Sequence, residues 1–203
     1  MEKTLKVGIT GGIGVGKSVV ALIFSKLGIP IYDADTRAKW LMANHADLIQ
    51  EIKANFGEES YLDNGEINRR YLAEKVFIDK SNIQKMNSLV HPRVGEDTLA
   101  WARECEGKFP YILKEAALLY ESGGDKGLDK IIVVTASIEV RIARIQKRDP
   151  QRSKEEILGI ISKQMPDEEK IKRADFLIYN DGETLLIPQV LRLHHLLLKL
   201  AHS

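Results

Sequence analysis

GITGGIGVGKS, residues 8–18, joins the β-rich run LKVGIT (5–10) to KSVVALIFSKLG (17–28), whose apolar residues recur at helical spacing. Three readings of this glycine-rich joint compete. A plain glycine turn is one. A dinucleotide fingerprint, G-x-G-x-x-G, is the second: Gly12 and Gly14 open it, and Asp33 lies about 20 residues on, where a ribose-binding acid belongs. Lys17 stands at the third glycine position and breaks that pattern. The third is G-x-x-x-x-G-K-[ST], which Gly11, Gly16, Lys17 and Ser18 match in full. Glycines let successive backbone N–H groups turn inward around a phosphate, and the following helix N-terminus adds positive potential. Gly11, Gly12, Ile13, Gly14, Val15 and Gly16 then line a phosphate cradle. Lys17 reaches β- and γ-phosphate oxygens, and Ser18 is placed to ligate Mg²⁺. The strand before and the helix after are the context this third reading requires.

The rest of the chain extends an α/β pattern. IPIYDAD (29–35) reads as a second short strand, and residues 36–57 as helix with a break near Asn44. From Tyr61 to Arg103 the sequence is charged and helix-favouring; Asp63-Asn64-Gly65 marks a turn, and Pro92 is expected to interrupt or start a helix. YILKEA (111–116), DKIIVVTA (129–136) and DFLIYN (175–180) complete a parallel sheet of about five strands. Ser137 is a candidate N-cap for the helix 137–149, more helix follows over 153–165 and after Pro166, and an amphipathic helix closes the chain. The expectation is one domain over 1–203: a core of 1–60, 106–145 and 171–203, a helical lobe of 61–105 and a lid of 146–170.

Bulk properties narrow the function. With 30 Lys and Arg against 29 Asp and Glu, the net charge of +1 gives no basic excess for a nucleic-acid partner. A single cysteine, Cys105, excludes an internal disulfide framework and Cys-rich zinc sites. The start MEKTLKVGIT is too short in apolar residues for a signal peptide, and no run reaches the roughly 20 apolar residues that span a bilayer. These features point to a cytoplasmic protein without membrane or nucleic-acid partners.

A phosphate cradle alone covers switches, motors, transporters and kinases. The DxxG and NKxD segments of GTPase switches and an LSGGQ-like signature are absent. The small size, the helical insert and the late arginines favour a small-molecule kinase, which must keep water away from the γ-phosphoryl group. Asp33 and Asp35, two apart on the expected second strand, would share a face at the sheet's carboxyl edge, where one could orient or deprotonate an acceptor hydroxyl. Asp35 could instead cap a helix starting at Thr36. Arg141, Arg144 and Arg148 line one stripe of the helix after strand four, with Ile138, Ile142 and Ile145 on the other side. That stripe suits either a solvated face or a lid that stabilises charge on a transferring phosphoryl group.

GITGGIGVGKS, IYDAD (31–35), DNGEINRRYLAEKVF (63–77), HPRV (91–94), LLYE (118–121), QKRD (146–149), Gln164 and ADFLIYNDG (174–182) together resemble the dephospho-CoA kinases, in order and over nearly the whole chain. The stretch KEAALLYE, with Ala117, departs from that family's usual proline. The resemblance implies a P-loop nucleoside/nucleotide-kinase-like three-layer fold with a CoA-binding lobe and a lid. It implies transfer of the ATP γ-phosphoryl group, with Mg²⁺, to the ribose 3′-hydroxyl of dephospho-CoA. It also implies roles: Asp35 at the acceptor hydroxyl with Asp33 as its neighbour in the motif, Arg148 as lid arginine, and Asn180 in the segment near the adenine. Arg144, from the arginine stripe, is a further candidate for binding the nucleotide. Asp63, Arg69 and His91 would serve the acceptor lobe, although His91 before Pro92 could equally be structural. A monomer or small homo-oligomer is expected. The nearest rivals are another P-loop kinase, of nucleoside or shikimate type, and a nucleotide-dependent switch.

Overall fold

The computed structural model describes residues 3–76 and 78–202. Five strands form one sheet in the order β2-β3-β1-β4-β5, and every pairing is parallel. They are β1 (Leu5–Thr10), β2 (Ile31–Asp33), β3 (Tyr111–Glu115), β4 (Lys130–Thr135) and β5 (Phe176–Tyr179). The chain runs from β1 to β2 on one side and from β3 across to β4 on the other. The carboxyl end of β1 is therefore the point where the strand order reverses, the place where open α/β sheets bind ligands.

The chain divides into two compact units, 1–33 with 102–203, and 34–101. In the first, strand alternation sorts the core. Val7, Ile9, Tyr111, Leu113, Ile132, Val134 and Ile178 share one cluster with Val20 and Phe24 of α1 (Lys17–Lys26) and with Val190, Leu193 and Leu197 of α9 (Leu186–Ala201). The opposite face is also covered: the next heavy atoms above Gly8 are the side chains of Leu119, Leu128 and Ile131. Strands buried on both faces read as continuous apolar runs, as KIIVVT does. The helix α1 stops where expected. Gly28 has φ +84°, its N–H donates to Ser25 and that of Ile29 to Phe24, a Schellman arrangement that needs the left-handed residue. Three further helices, α6 (Ile138–Arg148), α7 (Lys154–Ile161) and α8 (Asp167–Arg173), fill the stretch before β5. Ser137 caps α6 by accepting from the Val140 N–H, and Ser153 forms a capping box with Glu156 on α7.

The second unit is helical. Its elements are α2 (Ala34–Asn44), α3 (Ala46–Phe56), α4 (Arg69–Val76) and most of α5 (Lys80–Cys105). The break at Asn44 is real, because His45 turns extended and its ring nitrogen accepts from the Leu48 N–H. Residues 34–60 join this unit because Leu41, Leu48, Ile52 and Phe56 share a core with Tyr61, Leu72, Val76, Met86 and Val90. Two expectations change here. Pro92 neither interrupts nor starts a helix: it lies inside the 26-residue α5, where its ring removes one backbone donor while the helix continues. Asp35 is not on a strand beside Asp33 and does not cap a helix at Thr36. β2 ends at Asp33 and α2 has already begun at Ala34, so Asp35 lies within its first turn. Among the described residues no helix is long and apolar enough to cross a membrane.

Under the sheet, Tyr111 Oη lies 2.5 Å from Nδ1 of His194. Burial, and then the neighbouring charge of His195, holds His194 below the ordinary imidazole range. The unfolded chain therefore takes up this proton first, and stability falls as pH drops below about 6.5. Denaturant titrations at pH 7.5 and 5.5 should show a smaller acid-induced loss in His194→Gln than in the wild type. An equal loss in both would contradict the assignment.

Candidate active site

The cradle is set by backbone geometry. Between Thr10 and Lys17 the chain takes positive φ at Gly14 (+83°) and Gly16 (+85°), a region that side chains with a Cβ rarely enter. Space is restricted too: a Cβ on Gly16 would collide with the Asn180 amide, and one on Gly12 with the Arg141 guanidinium. Gly16 is the N-cap of α1, no side chain caps that end, and its first turn holds no acid. The positive end of α1 is thus left to an external anion.

The third strand delivers the acid that sequence reading left unassigned. Glu115 closes β3 and is 5% exposed. Its Oε1 accepts from Ser18 Oγ at 2.6 Å and lies 3.5 Å from Lys17 Nζ. Asp33 stands beside Glu115 in the β2–β3 register, so two carboxylates mark the carboxyl edge of the sheet. Lys114, one residue earlier, points the other way and donates to the Gly124 carbonyl at 3.2 Å; burial lowers its pKa. The signal for Glu115 was its place at the end of a buried strand, but only pairing with β1 brings that end to Ser18. Oxygen donors from Ser18 and Glu115 are the hard ligands that suit Mg²⁺.

The arginine stripe of α6 divides by depth. Arg144 donates to the Asn180 carbonyl at 2.8 Å and to its Oδ1 at 3.2 Å, and Asn180 Nδ2 donates to the Val15 carbonyl at 2.8 Å. These two expected site residues do converge, and they hold the phosphate loop from behind. Arg141 is not on a solvated face. It is 1% exposed, donates through Nε to the Ile13 carbonyl at 2.8 Å and pairs with Asp167. Gln164 Oε1 accepts from the Ile13 N–H at 2.9 Å. Arg148, by contrast, has a 61% exposed side chain and pairs with its neighbour Asp149 at 2.9 Å. Among the isoleucines, Ile142 and Ile145 are buried with Ile157, whereas Ile138 is 43% exposed.

Four expected acceptor residues belong to the helical unit. Asp35 lies in the first turn of α2, Arg69 begins α4, and His91 lies in α5 next to Pro92. Asp63 sits in a turn closed by the Tyr61–Ile67 bridge and by Asn64 Oδ1, which accepts from the Glu66 N–H at 3.0 Å. With Ile49, Lys53, Tyr61 and Asn68 it lines a cavity of about 570 Å³.

Comparison with known proteins identifies the family. The dephospho-CoA kinase family model matches residues 5–185. The dephospho-CoA kinase of Bacteroides fragilis is 40% identical over 93% of this chain and 91% of its own length. The crystal structure of TT1252 from Thermus thermophilus superposes with a TM-score of 0.81 at 30% identity, covering 95% of this chain and 97% of that one. A shikimate kinase from Bacteroides thetaiotaomicron reaches a TM-score of 0.53 at 15% identity over 95% and 98% of the two chains, a likeness of fold alone. A glycine-rich loop on a five-stranded parallel sheet, a family model that matches residues 5–185 and 40% identity to a relative over 93% of the chain make this chain a member of the dephospho-CoA kinase family.

Proposed function

We propose that this kinase uses ATP as donor on residues 11–18 and the ribose 3′-hydroxyl of dephospho-CoA as acceptor, completing coenzyme A. The observation that carries the donor half is the convergence of Lys17 and Ser18 on the buried Glu115. The acceptor oxygen forms a bond to the γ-phosphorus, the bond from that phosphorus to the β,γ-bridging oxygen breaks, and ADP leaves. Asp35 orients the acceptor hydroxyl or takes its proton, with Asp33 as its neighbour in the motif. Lys17 neutralises charge growing on the phosphoryl oxygens. Ser18 and Glu115 would hold Mg²⁺, which offsets phosphate charge when bound. The N–H groups of Gly14 and Gly16 meet the phosphates, that of Val15 donates within the loop to the Gly12 carbonyl at 3.3 Å, and Arg144 and Asn180 keep the loop in shape.

Arg148 acts from the lid, 146–170, where its exposure leaves it free to exchange Asp149 for a phosphate oxygen. Asp63, Arg69 and His91 serve the acceptor from the helical lobe, 61–105. Action in the cytoplasm, as a monomer or small homo-oligomer, is part of the same reading.

Mixing the protein with ATP, Mg²⁺ and dephospho-CoA should yield CoA and ADP in equal amounts. Lys17→Ala should lower that rate by about a hundredfold or more while leaving the circular dichroism spectrum unchanged. Formation of ADP without CoA would remove the acceptor assignment. Asp35→Asn should depress kcat with little change in ATP affinity; unchanged turnover would leave Asp35 a helix residue only. Glu115→Gln should raise the Mg²⁺ concentration needed for half-maximal rate and weaken Mn²⁺ binding seen by electron paramagnetic resonance. An unaltered metal titration would exclude Glu115 from the metal site.

A further inference from the structure

Ile13, at the tip of the phosphate loop, has both sides of its backbone taken by side chains from the stretch before β5. Its N–H donates to Gln164 in the α7–α8 link, at 2.9 Å, and its carbonyl accepts from Arg141 of α6, at 2.8 Å. The other end of Arg141 pairs with Asp167, the first residue of α8. A guanidinium this deeply buried is tolerable only with its charge matched and its donors used, and Asp167 and the Ile13 carbonyl do both. Gly12 completes the fit, because any Cβ there would strike the guanidinium. The Ile13 carbonyl, held by Arg141, is kept from presenting its oxygen to an anion. The Ile13 N–H, held by Gln164, leaves phosphate to the donors of Gly14 onward.

We propose that Gln164, Arg141 and Asp167 form a clasp that fixes the Ile13 backbone and makes the order of α8 depend on nucleotide in the loop. They are positioning residues, acting on phosphate only through the backbone they hold. Coupling of this kind is reciprocal: if a filled loop steadies α8, an attached α8 tightens the filled loop. The inference rests on residues 11–18 being the phosphate cradle.

The test uses the full chain, the β,γ-imido analogue of ATP with Mg²⁺, calorimetry for affinity and hydrogen exchange for order. In the wild type, the analogue should protect amides of both 11–18 and 167–173. Gln164→Ala should weaken binding about tenfold, the loss of one hydrogen bond, and at saturation should keep protection of 11–18 while losing that of 167–173. Asp167→Asn should act in the same direction. Wild-type affinity and wild-type protection of 167–173 in both variants would overturn the clasp. So would lower thermal stability with the nucleotide-dependent protection of 167–173 intact, since that is what a merely structural contact gives. Binding that Lys17→Ala leaves untouched would refute the cradle itself. Loss of binding in Lys17→Ala beside unchanged Gln164 and Asp167 variants would refute the clasp alone.

Discussion

The turn from β1 into α1 is the constraint on which the rest depends. A loop that offers N–H groups to a phosphate must run through left-handed conformations, as Gly14 and Gly16 do. Such a backbone has little to hold it by itself, since glycine loses more conformational freedom on folding than other residues. The surrounding structure supplies the restraint from outside. Arg144 and Asn180 take the Val15 region, and Arg141 and Gln164 take Ile13. Val15, 1% exposed, packs into the main core. The glycines give the loop its path, and side chains from α6, the α7–α8 link and Asn180, just after β5, keep it there.

Buried charges at this turn and in the stretch before β5 lie opposite carboxylates. Lys17 faces a buried carboxylate, Arg141 is matched by Asp167, and Lys170, fully buried, lies 3.3 Å from Glu121. Burying a lone charge is costly, and removing one partner of such a pair strands the other. These pairs therefore specify one packing of the α6–α8 stretch against the sheet edge. Glu121 also accepts from the Met165 N–H at 2.8 Å, so the link that carries Gln164 is tied to the segment after β3. The LLYE motif thus has a structural part in seating the stretch that carries Gln164.

How much of this could be read beforehand varied with the range of the forces involved. The five strands, the cap at Ser137, the Gly28 stop and the break after Asn44 follow from short-range rules of alternation, capping and turn chemistry. Pro92 and Asp35 escaped because their local preferences yield to context. A proline forfeits one donor, and a helix as long as α5 with a packed face carries that loss. Asp35 was placed on β2 by continuing an alternation two residues past the true strand end. Arg141 escaped for a different reason. The i, i+3, i+7 spacing puts three arginines on one stripe, but how deep each lies is fixed by what packs over it.

The sequence by itself determined the donor chemistry. Glycine spacing, Lys17 and Ser18 between an apolar strand and an amphipathic helix admit few other uses, because backbone freedom and charge are properties of the residues themselves. It also carried the family, through landmarks spread along nearly the whole chain. Only the tertiary structure decided which side chains complete the loop. Glu115 reaches Ser18 through the pairing of β3 with β1, and Gln164 and Arg141 reach Ile13 from positions 151 and 128 residues away along the chain. Contacts over such separations leave no local pattern, since they arise from the order of strands in the sheet and from what must cover a buried charge.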